Sequence, residues 1–442
     1  MFSVYLSREK TREKTACGLV FMDIVKRVFG YMINIAKDHA AASLVSLAEA
    51  RKLIGLLDPI DREVLSITNA LHRISAEDIA ALSSCPSIHC SLKDGFAVRA
   101  SDVADAGPDR PVFLQEIGVV TAGIQSAMKL EKGQTIRIMT GAPVPAGADA
   151  VLASEFASRK GNVVQALRDA HVGRNILSCG SDVAAGKVIV RSGTKFFPCH
   201  LGLLAAAGVS KVSVFQQPKV MVIATGSELV APGESIAPGQ VAASNLVTLL
   251  AELHCLGILA DHLLIRDNLH QLQEKIAPLI GRYDVILTCG GVLDGDKDFT
   301  MQAMRNLKVE PVFNRVRVGP GKGVCLGRKD GTFFFNLPGG PPSNHVAFVL
   351  LARPGILRLA GVSDPFAEYV SARLVRTLTA QQGWTQMFYG LLGNDGGGLT
   401  VEPLTSSRRL QVMAKADCLI ELPEDQACAE AGTIIRKIWK IR

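Results

Sequence analysis

Aromatic residues are scarce, at 5% of the 442-residue chain, and the Lys and Arg residues do not gather with them into a basic, aromatic-interleaved stripe. That absence excludes the usual footprint of a nucleic-acid binder. Long apolar runs are also missing. Although 48% of the chain is hydrophobic, no uninterrupted stretch of about 18 apolar residues could cross a bilayer, so the apolar segments read as core helices and strands. The ten cysteines are scattered from Cys17 to Cys428 without a Cys-x-x-Cys pair. This spacing signals neither a zinc site nor a disulfide framework and points to a reducing cytoplasm. No Gly-x-Gly-x-x-Gly follows a strand, which argues against a dinucleotide-dependent dehydrogenase. A net charge of +7 is modest for this length and fits general solubility, with a preference for small anionic ligands as the sharper reading.

What is present is a chain long enough for several domains. Residues 1–42 stand apart: Arg8, Lys10, Arg12 and Lys14 precede a basic amphipathic pattern, and Asp23, Lys26 and Arg27 interrupt any signal-peptide core. They are expected to be dispensable for the fold. The regular pattern begins near Ser43. Residues 44–57 predict a helix, and a second helical stretch is expected at 76–82. Residues 99–178, rich in Val, Gly and Pro with period-two alternation, predict a small β domain. Beyond Pro218 the pattern changes class. Strands at 219–224, near 265 and at 284–289 alternate with helices at 245–256, 269–280 and 298–307, as in a parallel α/β sheet. Residues 362–442 again read as all-β.

The α/β block concentrates unusual residues at its strand ends, where open parallel sheets bind ligands. The first strand runs into Thr225-Gly226-Ser227-Glu228, the second into Arg266-Asp267, and the third into Cys289-Gly290-Gly291, followed by Asp294, Asp296 and Asp298. Paired glycines let backbone N–H groups approach a phosphate or pterin, and Asp298 is placed to hold a divalent cation beside it. A solvated turn capping the next helix explains any one of these ends, but explains their repetition poorly. Gly319-Pro320-Gly321-Lys322-Gly323 and Leu337-Pro338-Gly339-Gly340 add glycine-rich turns around a lysine, which suit an anionic ligand.

Asp94-Gly95-Phe96-Ala97-Val98, Met139-Thr140-Gly141-Ala142-Pro143 with Gly147-Ala148-Asp149, Thr225-Gly226-x-Glu228, the Gly-Gly-Val loop with Asp298, and Leu337-Pro338-Gly339 resemble, in order, the molybdopterin molybdenumtransferase family of bacterial MoeA and the gephyrin E domain. The resemblance implies a multidomain α/β plus β homodimer without a membrane span. It comprises a linker domain (43–98 and 179–216), an inserted β domain (99–178), a molybdopterin-binding-like parallel α/β domain (217–361) and a C-terminal β domain (362–442). In that family the active site draws on two subunits, and the reaction inserts molybdate into adenylylated molybdopterin with release of AMP. Carried over residue by residue, the resemblance implies catalytic roles for Asp94, Thr140, Asp182 and Asp267. It implies pterin and phosphate binding by Gly290, Gly291, Lys322, Pro338 and Gly339, and magnesium held by Glu228 and Asp298.

Departures are as informative as matches. His89-Cys90-Ser91-Leu92-Lys93 stands where the family carries Asp-Asn-Ser-Ala-Met, Ser227 replaces an aspartate, and Cys289 a serine. The first lysine of Lys-Pro-Gly-Lys-Pro is Gly319, its last proline is Gly323, and the asparagine of Pro-Gly-Asn-Pro is Gly340. Two function classes follow. One is a magnesium-dependent transferase with an altered pocket, and the other is a catalytically weak or inactive paralogue that binds molybdopterin or a protein partner.

Overall fold

The computed structural model describes residues 44–124, 127–290, 299–366, 369–405 and 408–441. The expectations for residues 1–42, for Gly291 and for Asp298 with its neighbouring aspartates lie outside them. The chain divides into two compact units: Arg62–Phe215, and the segment up to Asp61 together with Gln216 onward.

The predicted first helix is present as α1 (Leu47–Gly55). Ser46 caps it, accepting from the Glu49 N–H while the Glu49 carboxylate reaches back to the Ser46 N–H at 2.8 Å. This reciprocal pair satisfies the first-turn donors that a helix leaves open. Leu47, Ala50 and Ile54 form its buried stripe.

The Arg62–Phe215 unit is built on a six-stranded sheet. Its strands are β1 (Gly95–Val98), β2 (Val112–Val120), β3 (Gln134–Ile138), β4 (Ala150–Ala153), β5 (Ala157–Lys160) and β6 (Val163–Ala166), in the order β4-β1-β3-β2-β6-β5. The period-two pattern sorts the side chains. Phe96 and Val98 of β1 join Leu114, Leu152 and Val164 in one core cluster, while Ala97 joins Ile136, Ile138 and Val151 in another. At the head of β1 only glycine fits, because a Cβ on Gly95 would stand 2.1 Å from the Leu152 carbonyl oxygen. Shorter ladders pair Arg62–Ser66 with Lys211–Phe215, and Cys90–Ser91 with Ile176–Leu177. Helix α2 (Pro198–Ala206) also belongs to this unit.

The helix expected at 76–82 does not form. Ile79–Ala80 instead pairs with Val188–Val190, and the N–H groups of Ala81 and Leu82 donate to Lys187 O and Ala207 O. A seven-residue helix gains few internal hydrogen bonds, whereas the extended path buries Ala76, Ile79 and Ala81 and leaves Leu82 in solvent.

The second unit holds the expected α/β sheet. Strands β7 (Val220–Thr225), β8 (Asp261–Ile265), β9 (Val285–Cys289), β10 (Glu310–Phe313), β11 (Cys325–Lys329) and β12 (Thr332–Leu337) lie in the order β8-β7-β9-β12-β11-β10. The first four neighbours are parallel and the last two join antiparallel. β7, β9 and β12 are buried throughout, the continuous burial of strands covered on both faces. Val220, Val222 and Ala224 face α3 (Ser244–Cys255), which contributes Leu246, Leu249 and Leu253. Met221 and Ile223 face α4 (Leu269–Ile276) and α5 (Phe299–Asn306). α4 stops short of the expected 280, since Pro278 lies in the tighter turn Ala277–Leu279 that follows. Helix α6 (Pro341–Ala347) continues through a π-helical stretch, Phe348–Ala352, into α7 (Arg353–Leu359).

The C-terminal strands close on themselves. β13 (Tyr369–Leu374), β14 (Thr385–Asn394), β15 (Leu399–Pro403), β16 (Cys418–Leu422) and β17 (Ile434–Lys440) run β14-β15-β13-β17-β16, and β16 pairs again with β14. The block is not purely β: α8 (Arg409–Lys415) bridges β15 and β16 and packs Val412 and Met413 on the main core. Among the described residues no helix is long and apolar enough to cross a membrane.

Candidate active site

Four parallel strands, β8, β7, β9 and β12, deliver the acidic and glycine-rich ends picked out from the sequence to one edge of the sheet. Thr225, the last residue of β7, donates its hydroxyl to Asp267 Oδ1 at 2.7 Å, joining the end of β7 to the turn after β8. Gly226 N–H donates to Ile265 O, tightening the same junction. Gly290 follows β9 with φ +119, and a Cβ there would stand 2.4 Å from the Thr225 carbonyl oxygen. No other residue type fits so close to β7. Gly339, after β12, would place a Cβ 3.6 Å from Gly290 Cα. Two bare backbones thus lie side by side where the sheet ends.

These ends border a cavity of about 500 Å³ lined by Thr225, Glu228, Asn245, Cys289, Gly290 and Gly339, among others. Glu228 is exposed, and its carboxylate folds back over Gly226, whose added Cβ would meet both oxygens at 2.9 Å. Among the described residues, no hydrogen bond reaches either carboxylate oxygen of Glu228. Cys289 is 3% exposed, and burial pushes its thiol up to about 12. It is a neutral core thiol here, not a nucleophile.

Asn245 was not picked out from the sequence. Its amide Nδ2 donates to the Gly339 carbonyl at 2.7 Å, so the start of α3 holds the loop after β12. The available signal was the polar pair Ser244-Asn245 opening a helix whose buried stripe is leucine. Within that loop, Asn344 Nδ2 donates to Pro338 O at 2.9 Å. Lys322 does not line this cavity. Its Nζ lies 5.7 Å above the Trp384 ring, and its carbonyl accepts from Val316 N–H.

The remaining predicted residues lie in the other unit, where segment 89–94 is clasped between two strands of chain. On one side Ser91 exchanges backbone hydrogen bonds with Gly141 and Ala142, and Val144 N–H donates to His89 O. On the other, Leu92 N–H donates to Asn175 O and Cys179 N–H to His89 Nδ1. This clasp brings Thr140 to Asp94, whose Oδ1 accepts from Thr140 N at 2.7 Å and Thr140 Oγ1 at 2.8 Å. Those two donors, the backbone one foremost, hold the Asp94 carboxyl below the ordinary aspartate range. Asp182 is exposed in the following turn, near enough for its charge to add to the burial that raises the Cys90 thiol. Asp94 and Thr140 are thus bonded to one another, while Asp182 lies near Cys90 in the same unit.

A magnesium ion needs only one or two protein carboxylates when substrate phosphates and water complete its shell. Among the described residues no group of three or more His, Cys, Asp or Glu is gathered as a metal cluster. Glu228, at the cavity edge and with no hydrogen bond to its carboxylate among the described residues, is one such carboxylate.

Comparison with known proteins gives the same outline. A family model for the MoeA N-terminal region, domains I and II, matches residues 45–208; one for a probable molybdopterin binding domain matches 221–358; and one for the MoeA C-terminal region, domain IV, matches 371–438. Molybdopterin molybdenumtransferase 2 of Mycobacterium tuberculosis is 32% identical over 381 residues, covering 85% of this chain and 94% of that protein. The Bacillus subtilis molybdopterin molybdenumtransferase is 31% identical over 383 residues, covering 85% of this chain and 89% of its own. Among solved structures, the molybdopterin biosynthesis MoeA protein from Pyrococcus horikosii superposes with a TM-score of 0.76 at 30% identity, covering 90% of this chain and 99% of that one. With relatives aligned over nearly their whole length and the strand-end site built from the motifs they suggest, this chain belongs to the molybdopterin molybdenumtransferase family.

Proposed function

We propose that the protein is a molybdopterin molybdenumtransferase of molybdenum cofactor biosynthesis, inserting molybdate into adenylylated molybdopterin and releasing AMP. The observation that carries this reading is the convergence of Thr225, Glu228, Gly290 and Gly339 on one cavity at the carboxyl ends of parallel strands. Gly290 and Gly339 let the strand-end turns close on one another at the cavity rim, where a flat or phosphate-bearing ligand would lie against the sheet. Asn245 fixes the Gly339 carbonyl and so keeps that loop in place. Pro338 would flank the pterin, and Lys322, on a turn outside the cavity lining, would meet an anionic part of the substrate that extends beyond it. Glu228, with Asp298, would hold magnesium, which supplies charge neutralisation at the pyrophosphate. Thr225 orients Asp267, leaving its second oxygen to accept a proton or hold water near the reacting phosphate.

We further read the enzyme as a cytoplasmic homodimer with domains 43–98 and 179–216, 99–178, 217–361 and 362–442. Asp94, Thr140 and Asp182 would then act in trans. Mixing Asp94→Ala and Asp298→Ala chains should restore activity in verified heterodimers; no recovery removes the shared-site reading. A weak paralogue remains the second reading. It is favoured by Gly319, which supplies no ammonium where the family's lysine would stand and where an added Cβ would press on Gln386 Nε2 at 3.2 Å. The deciding experiment is AMP release from adenylylated molybdopterin by the purified protein with magnesium and molybdate. Release above background supports the enzyme; none, with ligand still bound, supports the paralogue.

A further inference from the structure

We infer that Gln386 is the specificity-determining residue of the turn at Gly319–Gly323, standing as a neutral amide where the family places an ammonium. The inference rests on the proposed function, which puts an anionic part of the substrate beside Lys322.

Three observations lead to it. The short strand Val318–Gly319 pairs in parallel with the start of β14, placing Gly319 opposite Gln386. The Gln386 amide then lies against the position of a Gly319 side chain, with Nε2 close at 3.2 Å and Cδ and Oε1 in ordinary contact at 3.5 and 3.6 Å from an added Cβ. Gln386 is half-buried, and among the described residues no hydrogen bond satisfies its amide. The turn's one cation, Lys322, is exposed, has no carboxylate partner among the described residues, and lies over the Trp384 ring two residues before Gln386. The nearby Arg317 is committed to Glu424 at 3.0 Å.

An amide whose donor is unused, beside a single lysine, recognises a tetrahedral oxyanion by one neutral and one charge-assisted hydrogen bond rather than two charge-assisted ones. That chemistry is shared by molybdate and by a phosphate group. It predicts weaker binding with a shallow salt dependence, and it makes Gly319 and Gln386 a coupled pair. A lysine introduced at 319 must first displace the Gln386 amide, whose Nε2 lies 3.2 Å from the new Cβ.

The test is equilibrium dialysis of the full chain against molybdate, and in parallel inorganic phosphate, at two ionic strengths, with AMP release assayed on the same samples. Gln386→Lys should tighten oxyanion binding about tenfold, the value of one added charge-assisted hydrogen bond, and steepen its salt dependence. Gln386→Met, which keeps the volume, should weaken binding several-fold. Gly319→Lys alone should give no gain, whereas Gly319→Lys with Gln386→Ala should. A response confined to molybdate assigns the turn to the metal oxyanion; an equal response to phosphate assigns it to a nucleotide phosphate. Both keep Gln386 as the determinant. Gln386→Met binding like the native protein, Gly319→Lys gaining alone, or no oxyanion binding by any variant overturns the inference. If the native protein releases AMP while these variants fail as described, only the role of Gln386 falls and the enzyme reading stands.

Discussion

One oxygen of Asp94 receives both hydrogen-bond donors of Thr140, the backbone N–H at 2.7 Å and the hydroxyl at 2.8 Å, across 46 residues of chain. Both favour the ionised carboxylate, so its pKa lies below the ordinary range. A depressed pKa adds stability above the unfolded value and loses it as pH falls through the folded one. Thr140→Val removes the hydroxyl and keeps the N–H. The Asp94 midpoint, followed by carboxyl-carbon NMR, should therefore rise only partway to that of an ordinary aspartate. An unmoved midpoint would show that the hydroxyl contributes nothing.

Glycines at the site separate into required and dispensable positions. Gly290→Ala meets both a left-handed φ and a carbonyl 2.4 Å from the new Cβ. It should destabilise the protein by about 2–4 kcal/mol, read from the urea midpoint. Among the described residues Gly340 has only Ser343 Oγ nearby, at 3.9 Å, so Gly340→Asn should stay within about 0.5 kcal/mol. Equal losses at the two positions would contradict the close-approach argument.

Glu421, on β16, is 6% exposed and accepts from Arg51 Nη2 at 2.9 Å and Trp439 Nε1 at 2.8 Å, with Lys437 at 3.5 Å. Burial alone would raise its pKa, but Arg51, Lys437 and Trp439 together outweigh it and leave the pKa lowered. Its contribution is therefore present at neutral pH and fades as pH falls through the depressed value. Arg51→Ala leaves this carboxylate only Trp439 and the longer Lys437 contact and should cost about 1.5–3 kcal/mol at pH 7. The deficit should shrink at pH 4. A deficit independent of pH would assign it to lost packing of Arg51 over the Trp439 ring, 4.5 Å away.

Much of this was legible in the sequence because its signals are local. Buried parallel strands read as apolar runs, and Gly290 and Gly339 mark the places where two backbones meet. The helix expected at 76–82 failed because its competitor, a ladder to Val188–Val190, comes from over a hundred residues away. The contacts of Lys322 were equally invisible, since Trp384 and Gln386 reach the turn through the register of β14 against Val318–Gly319. Asn245 was hidden for the opposite reason. An asparagine at a helix start reads as an ordinary cap, and only the fold shows its amide turned to the Gly339 carbonyl.

The two described carboxylates of the cavity region should prove unequal. Glu228 has no hydrogen-bond partner among the described residues, whereas Asp267 is held by Thr225 at 2.7 Å. A carboxylate without a protein partner is free to meet a cation; one already bonded is better suited to orient a water or proton. Glu228→Gln should therefore slow AMP release by about 10–100-fold at limiting magnesium and recover in part as magnesium rises, with pterin affinity little changed. Asp267→Asn keeps an acceptor for Thr225 and should lower the rate without any such recovery. Thr225→Val should reproduce a milder form of the Asp267 defect. Steady-state AMP release across a magnesium series separates the two residues, and identical magnesium responses for Glu228→Gln and Asp267→Asn would show that this division of labour is wrong.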